Sequence, residues 1–219
     1  MLADTSTARL ATNCPGEYDR TVTTGFYDPS LVCEACERKF SPWDGYGKAI
    51  LLDTDWESAQ VGGDDRRAYC IRSFDYTRLK LFFMSVLWRI AGTARREFRQ
   101  VDLGPHGDKL ARDIESCDPG GIDDWSVTLA RFVGSHPAIP ELEAKVAWLD
   151  PHRTRFGGVN CVNIYMADFI AMIKVDQRPF GEPVRRLCIA RDKPLYIIIR
   201  DFGSSKELAL MTNMARQQA

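Results

Sequence analysis

The longest apolar stretch of the chain is Leu79-Lys-Leu-Phe-Phe-Met-Ser-Val-Leu-Trp-Arg-Ile-Ala91, and the fold is expected to form around it. Its apolar residues recur at spacings of three and four, which places them on one wide face of a helix. The residues of this face are Leu79, Phe82, Phe83, Val86, Leu87 and Ile90. Asp75 is a suitable N-cap, so the pattern predicts a helix over residues 76–99 that forms the buried spine of the domain.

Weaker signals on either side of this helix predict two further helices. Ser41, Pro42 and Asp44 resemble the cap, first position and capping-box acid of a helix that begins at Ser41. Another helix is expected near Pro105, with Leu103, Leu110 and Ile114 on its buried stripe.

The second half of the chain carries strand signals. The predicted strands cover residues 126–133, 145–149, 159–166, 169–175 and 195–200. A capping box from Ser204 to Glu207 opens a final helix. Helices first and strands later favour the α+β class: an N-terminal Cys-x-x-Cys knuckle, central helices and a mainly antiparallel C-terminal sheet closed by a helix. We expect a cysteine-knuckle segment at 1–56 and an α+β core at 70–219, joined as one continuous domain.

Composition excludes several classes of protein. The 219 residues are 45% hydrophobic and 27% charged, which is ordinary for a globular chain and argues against disorder. The formal net charge is -1, so any contact with nucleic acid must come from a local patch of charge. The apolar stretch 79–91 is shorter than a bilayer span, and the N-terminus lacks the pattern of a secretory signal. We therefore expect a cytoplasmic protein without a membrane partner.

The seven cysteines include one pair with metal-ligand spacing. Cys33-Glu-Ala-Cys36 is typical of two thiolates that bind one Zn²⁺. A structural zinc needs two more ligands, and the chain has no second pair, so Cys14 is the nearest candidate for a third. Cys70, His106 or a carboxylate would supply the fourth. Free thiols in a turn, or a redox pair, are the alternatives. Cys161 and Cys188 lie among apolar residues and are expected to be core thiols.

The run from Phe26 to Tyr46, which contains the Cys-x-x-Cys-Glu motif, resembles a group of largely uncharacterised bacterial proteins with HNH-like zinc knuckles. Leu87-Trp-Arg89 and Asp102-Leu-Gly-Pro-His106 also resemble that group. The resemblance implies a zinc-stabilised scaffold and a link to mobile elements and phage defence. HNH-like nucleases carry a second cysteine pair and an earlier histidine that activates water. Here the first histidine is His106, so the resemblance does not extend to the nuclease chemistry.

Two groups of basic residues are candidates for anion binding. Arg95, Arg96 and Arg99 end the long helix, where cations also favour the negative end of the helix dipole. His152, Arg153 and Arg155 lie in a stretch that is predicted to be a loop, followed by Gly157-Gly158. Arginine forks and glycine backbone could hold a phosphate there, or the stretch could be an ordinary polar connection.

Three functions are compatible with these features. The first is a zinc-stabilised module that binds nucleic acid or a protein partner without a recognisable catalytic site. The second is an HNH-like metal-dependent nuclease with a rearranged site, which would need His106 or His152 beside acidic residues and an open metal position. The third is a pure protein-interaction or inhibitor subunit, which an exposed apolar patch would favour. The missing histidine favours the first and third functions over the second.

Overall fold

The computed structural model describes residues 8–10, 20–22, 31–56, 60–61, 68–137, 139–143 and 147–218. Its α-helices are α1 (Glu34–Leu52), α2 (Tyr76–Gly92), α3 (Gly107–Glu115), α4 (Glu182–Arg185) and α5 (Lys206–Gln218). Two short 3-10 helices cover Arg96–Phe98 and Gly104–His106.

The strands of the described chain form one large sheet and two small ones. They are β1 (Ala8–Leu10), β2 (Arg20–Val22), β3 (Gln60–Val61), β4 (Ala68–Ile71), β5 (Val127–Val133), β6 (Ser135–His136), β7 (Ile139–Glu143), β8 (Ala147–Trp148), β9 (His152–Phe156), β10 (Val159–Met166), β11 (Phe169–Lys174) and β12 (Leu195–Asp201). The large sheet has the order β3-β4-β12-β5-β11-β10-β9, and the small sheets are β2-β1-β8 and β6-β7.

The large sheet is mainly antiparallel. Its pairs are all antiparallel except β12 with β5, which run parallel. The predicted hairpin of β10 and β11 is present, with Ala167 in its turn at a φ of 52°. Helix α5 follows β12 and buries Leu208 against Phe132 and Phe202 beside the sheet. These features confirm the α+β class with a mainly antiparallel C-terminal sheet and a closing helix.

Helices α1 and α2 pack together over one face of the sheet. Leu79, Phe83 and Leu87 of α2 are fully buried, in the same cluster as Phe169, Ala171 and Ile173 of β11. The prediction that α2 is the buried spine is therefore confirmed. Among the described residues, no helix is both long enough and apolar enough to span a membrane.

Helix α1 begins seven residues earlier than the sequence signals predict. It starts at Glu34, with Cys33 as its N-cap, so the expected start at Ser41 is wrong and Pro42 lies inside the helix. An internal proline removes one backbone hydrogen bond. The buried positions Phe40, Trp43, Gly47 and Leu51 recur at helical spacing on both sides of Pro42, and their burial offsets that loss.

Helix α2 ends at Gly92, seven residues before the predicted end at 99. Thr93 and Arg95 have extended backbone, and residues 96–98 form a separate 3-10 turn. Phe98 and Glu97 are buried in that turn, which an α-helix continued in a straight line would not achieve. Arg95, Arg96 and Arg99 therefore lie beyond the helix and not on its last turn.

The predicted loop at residues 152–156 is an edge strand. Strand β9 pairs along its length with β10, from His152 opposite Asn163 to Phe156 opposite Val159. Gly157 and Gly158 connect the two strands with φ values of 56° and 82°. Two-residue hairpin turns of this kind require positive φ at both positions, so the glycines serve the turn. The charged residues of this stretch led to the prediction of a loop. They are compatible with a strand because β9 lies at the sheet edge, where polar side chains are tolerated.

The opposite face of the sheet is covered by the C-terminal elements. Cys161 and Cys188 are buried there with Val159 and Phe180, which confirms that they are core thiols. Burial raises the pKa of Cys161 to about 12 and that of Cys188 to about 11. Helix α5 is capped by Ser205, whose Oγ accepts a hydrogen bond from the Leu208 amide, so the predicted capping box at Ser204 is wrong.

Two lysines are enclosed within the fold. Lys80 of α2 is fully buried, and its ammonium donates to the carbonyl oxygens of Asp124 at 2.7 Å and Gly121 at 3.2 Å. Lys174 of β11 is also buried and donates to the carbonyl of Arg178 at 2.8 Å. Each lysine fixes an irregular segment to a regular element, because its buried ammonium group needs hydrogen-bond acceptors and the carbonyls of that segment supply them.

The burial of Leu87 predicts a large cost of truncation. Leu87→Ala is expected to lower the free energy of unfolding by about 2–5 kcal/mol, because it leaves a cavity in an enclosed core. Leu52 is 57% exposed, so Leu52→Ala is the matched control and should change stability by about 0.5 kcal/mol or less. Urea denaturation of both variants measures the difference. Equal stabilities would contradict the assignment of α2 as the buried spine.

The burial of Lys80 predicts that the free energy of unfolding of the protein rises at alkaline pH. Burial lowers the pKa of Lys80 to about 8. Between that pH and its ordinary pKa of about 10.5, the unfolded chain binds a proton that the folded chain lacks, so stability rises with pH. The free energy of unfolding, measured relative to Lys80→Met, should rise by at most about 3 kcal/mol across this range. The exposed Lys48→Met is the control and should track the parent protein at every pH.

Candidate functional site: a cysteine pair and a basic surface beside a cavity

Cys33 and Cys36 lie in the first turn of α1. Cys33 is the N-cap and is exposed, while Cys36 is half-buried. Their Sγ atoms are 3.6 Å apart. Two sulfurs at about 2.3 Å from a tetrahedral zinc ion are about 3.8 Å apart, so the two thiols fit two adjacent ligand positions of one zinc.

The two thiols at the start of α1 differ in the direction of their pKa shifts. The backbone N–H of Cys36 and the hydrogen bond with the Cys36 thiol lower the pKa of Cys33. The same hydrogen bond raises the pKa of Cys36, with a contribution from burial. Cys33 is therefore the more readily ionised of the two sulfurs.

The remaining zinc ligands are not identified by the described part of the chain. Cys14 lies outside the described residues, so its predicted place beside the pair is not tested. Within the described ranges, no three His, Cys, Asp or Glu side chains come together as a metal-binding group. Cys70 is half-buried on β4 and His106 precedes α3, on elements other than α1. Zinc at Cys33 and Cys36 stays a prediction.

The two arginine-bearing segments border one cavity. Thr93, Arg95 and Phe98, which follow α2, line it on one side. Leu149, Asp150 and Pro151, which lead directly into β9, line it on another. The segment that carries Arg95, Arg96 and Arg99 therefore lies near the segment that carries Arg153 and Arg155, although they are far apart in sequence.

The register of β9 decides where its side chains project. Arg153 lies opposite Val162 and Arg155 opposite Asn160. Val162 belongs to the core cluster shared with α1 and α2, so both arginines are on the helix-bearing face of the sheet. Both are exposed, and Arg155 Nε donates to the carbonyl of Gly158 at 3.1 Å.

His152 belongs to the other face of the sheet. It lies opposite Asn163, and its ring stacks on Tyr165 with centroids 5.8 Å apart. Its Nδ1 is 3.2 Å from the carbonyl oxygen of Asp150. The structure therefore separates His152 from Arg153 and Arg155, which are its close neighbours in the sequence. His106 immediately precedes α3.

The arginines after α2 differ in their surroundings. Arg95 lines the cavity, and its Nε is 3.6 Å from the carboxylate of Glu97, whose side chain is 6% exposed. Arg96 is half-buried, and Arg99 is exposed with its Nε donating to the carbonyl of Arg96 at 3.3 Å. Arg99, Arg153 and Arg155 are the exposed members of the predicted set. We call these three residues together the basic surface; Arg153 and Arg155 share one face of β9, and Arg99 lies on the separate segment after α2.

The cavity has a volume of about 370 Å³ and lies where α1, α2 and β10 meet. Its apolar wall includes Leu31, Val86, Ile90, Phe98, Ile164 and Met166. Asp44 and Arg89 form a two-pronged ion pair in its wall, with N–O distances of 2.6 and 3.0 Å. The size and the mainly apolar lining with few polar groups are typical of small-molecule sites.

Sequence reasoning missed this cavity and its acidic residues. Local signals present Asp44 as a capping-box acid and Glu37 as part of the cysteine motif. Both line the cavity, because residues seven apart lie on one face of α1. The seven-residue spacing of Glu37 and Asp44 is present in the sequence. It places the two side chains on one helix face only when α1 is known to begin at Glu34.

Comparison with known proteins identifies no relative. No protein-family model, no curated protein and no solved structure matches this chain. The resemblance to HNH-like zinc-knuckle proteins therefore stays a prediction.

Metal analysis tests the cysteine pair. The purified protein is expected to hold one zinc ion per chain, and Cys33→Ser or Cys36→Ser should remove it because a tetrahedral site loses a ligand. Cys117 is exposed and lies outside the motif, so Cys117→Ser should keep the metal. Cys14→Ser tests the third ligand. If zinc is absent from the parent protein, the metal prediction is wrong.

Proposed function

We propose that the protein is a cytoplasmic, zinc-stabilised module that binds nucleic acid through the basic surface of Arg99, Arg153 and Arg155. The observation that carries the proposal is the position of Arg153 and Arg155. They are two residues apart on an exposed edge strand and project from the same face of the sheet. Alternate residues of a strand are about 6.6 Å apart, so the two guanidinium groups can contact phosphates of the same nucleic-acid strand.

The surroundings of β9 favour a backbone contact over base-specific recognition. Arginine donates in a planar fork that suits phosphate oxygens. The hairpin turn holds Arg155 through its bond to the Gly158 carbonyl, which reduces the entropy cost of binding. The net charge of -1 makes long-range steering weak, so binding should depend on these few contacts and be sensitive to salt.

The role proposed for zinc is structural. A metal held by Cys33 and Cys36 would tie the start of α1 to another segment of the chain, such as the one that carries Cys14. Residues Leu31 and Val32, just before the pair, line the cavity, so the metal would also fix one wall of the cavity. A place in phage defence is the biological setting that the resemblance to zinc-knuckle proteins suggests.

A protein partner is the second candidate. Strand β9 has β10 on one side and is the last strand of the large sheet in the described chain, so its outer edge could pair with a strand of another protein. Phe156 on this strand is 48% exposed. The nuclease hypothesis has no comparable support, since in the described part of the chain neither His106 nor His152 belongs to a group of three His, Cys, Asp or Glu side chains that could hold a metal.

Salt-dependent binding tests the proposed function. A fluorescently labelled single-stranded DNA and its duplex are titrated with the protein at several salt concentrations. The Arg153→Ala, Arg155→Ala double variant is expected to weaken binding and to reduce the log–log salt slope by roughly one unit for each phosphate that the missing guanidinium groups would neutralise. Both arginines are exposed on an edge strand, so the variant should keep the stability of the parent.

The matched control removes the same charge elsewhere. Arg186 and Lys193 are exposed and do not line the cavity, so the Arg186→Ala, Lys193→Ala double variant should bind as the parent does. Two results would overturn the proposal: no binding to either DNA at low salt, or equally weakened binding in the two double variants. Either result would leave the protein partner as the better candidate.

A further inference from the structure

The cavity between α1, α2 and β10 is not used by the proposed nucleic-acid contact. Many of its lining side chains are apolar, among them Val86 and Ile90 of α2 and Ile164 of β10. At about 370 Å³ it can enclose a small organic molecule. An apolar body in this space would gain the free energy of transfer from water.

The described lining of the cavity contains more acidic than basic side chains. Its lining contains three carboxylates, Glu37, Asp44 and Asp150, and two guanidinium groups, Arg89 and Arg95. Asp44 and Arg89 neutralise each other through their two-pronged pair. Arg95 also lies beside Glu97, which adds a further carboxylate near the wall. Among the described lining residues, carboxylates therefore outnumber guanidinium groups by three to two.

Glu37 is the carboxylate best placed to meet a ligand. It is half-buried near the start of α1 and lines the cavity. Among the described residues it takes part in no ion pair, whereas Asp44 is held by Arg89. A half-buried carboxylate gains more from a cationic partner than a fully exposed one, because less water screens the interaction.

We propose that this cavity binds a small amphipathic amine, with its apolar body between α2 and β10 and its ammonium group at Glu37. An anionic head group would be repelled by the Glu37 carboxylate, and a purely apolar ligand would leave that carboxylate without a counter-charge. The proposal goes beyond the proposed function. It does not depend on the nucleic-acid contact, because Arg99, Arg153 and Arg155 lie outside the cavity lining.

Three probes of equal chain length test the site: hexylamine, 1-hexanol and hexanoate. Each is titrated into the full-length protein with ¹³C-labelled methyl groups and followed by NMR. Hexylamine should shift the methyl signals of Val86, Ile90 and Ile164, and should bind at least about tenfold more tightly than hexanoate. Glu37→Gln should remove the preference for the amine while 1-hexanol binding stays unchanged. Glu115 is exposed on α3, so Glu115→Gln is the matched control and should keep the preference.

A second part of the experiment uses variants in which a larger side chain fills the cavity. Val86 and Ile90 are half-buried, so Val86→Phe and Ile90→Phe can each fill part of the space with little strain on the core. Circular dichroism identifies which of them is folded, and the folded variant should lose binding of all three probes. The proposal is overturned if no probe shifts these methyl signals, if hexanoate binds as tightly as hexylamine, or if amine binding survives in the filled cavity. DNA binding by the basic surface is measured in the same variants, so the two proposals can fail separately.

Discussion

The burial of α2 between α1 and the large sheet sets the positions of the surrounding elements. Leu79, Phe83 and Leu87 face the sheet and are removed from water, while Phe82 packs against Gly47 of α1. A Cβ atom at Gly47 would lie 2.5 Å from the Phe82 ring, so the close approach of the two helices requires glycine at this position. Lys80 then fixes the segment around Gly121 and Asp124 from within the core.

The same packing creates the cavity. The chain leaves the helix after Gly92, and residues 93–98 turn back so that Phe98 and Glu97 are buried. The space between this turn, the start of α1 and β10 is the cavity. Arg89 is held there by Asp44 and also packs over the Phe40 ring at 5.3 Å, so one arginine joins the two helices at the cavity wall.

The sheet separates two chemical surfaces that lie close together. At its edge, the alternation of β9 directs Arg153 and Arg155 to the helix-bearing face and His152 to the opposite face, against Tyr165. Among the described lining residues of the cavity, carboxylates outnumber guanidinium groups. Exposed arginines and the carboxylates of the cavity therefore lie in different places, because exposure and strand register separate them.

Local periodicity in the sequence was enough to define several elements. The apolar spacing of 79–91 identified α2, Asp75 identified its cap, and the strand signals at 159–166, 169–175 and 195–200 identified β10, β11 and β12. Long-range packing determined the elements that these local signals did not predict. Helix α1 continues through Pro42 because Phe40 is buried. The charged stretch 152–156 forms a strand because it pairs with β10. The cavity also depends on long-range packing, because Glu37, Arg95 and Asp150 are far apart in sequence and meet only when the helices pack on the sheet.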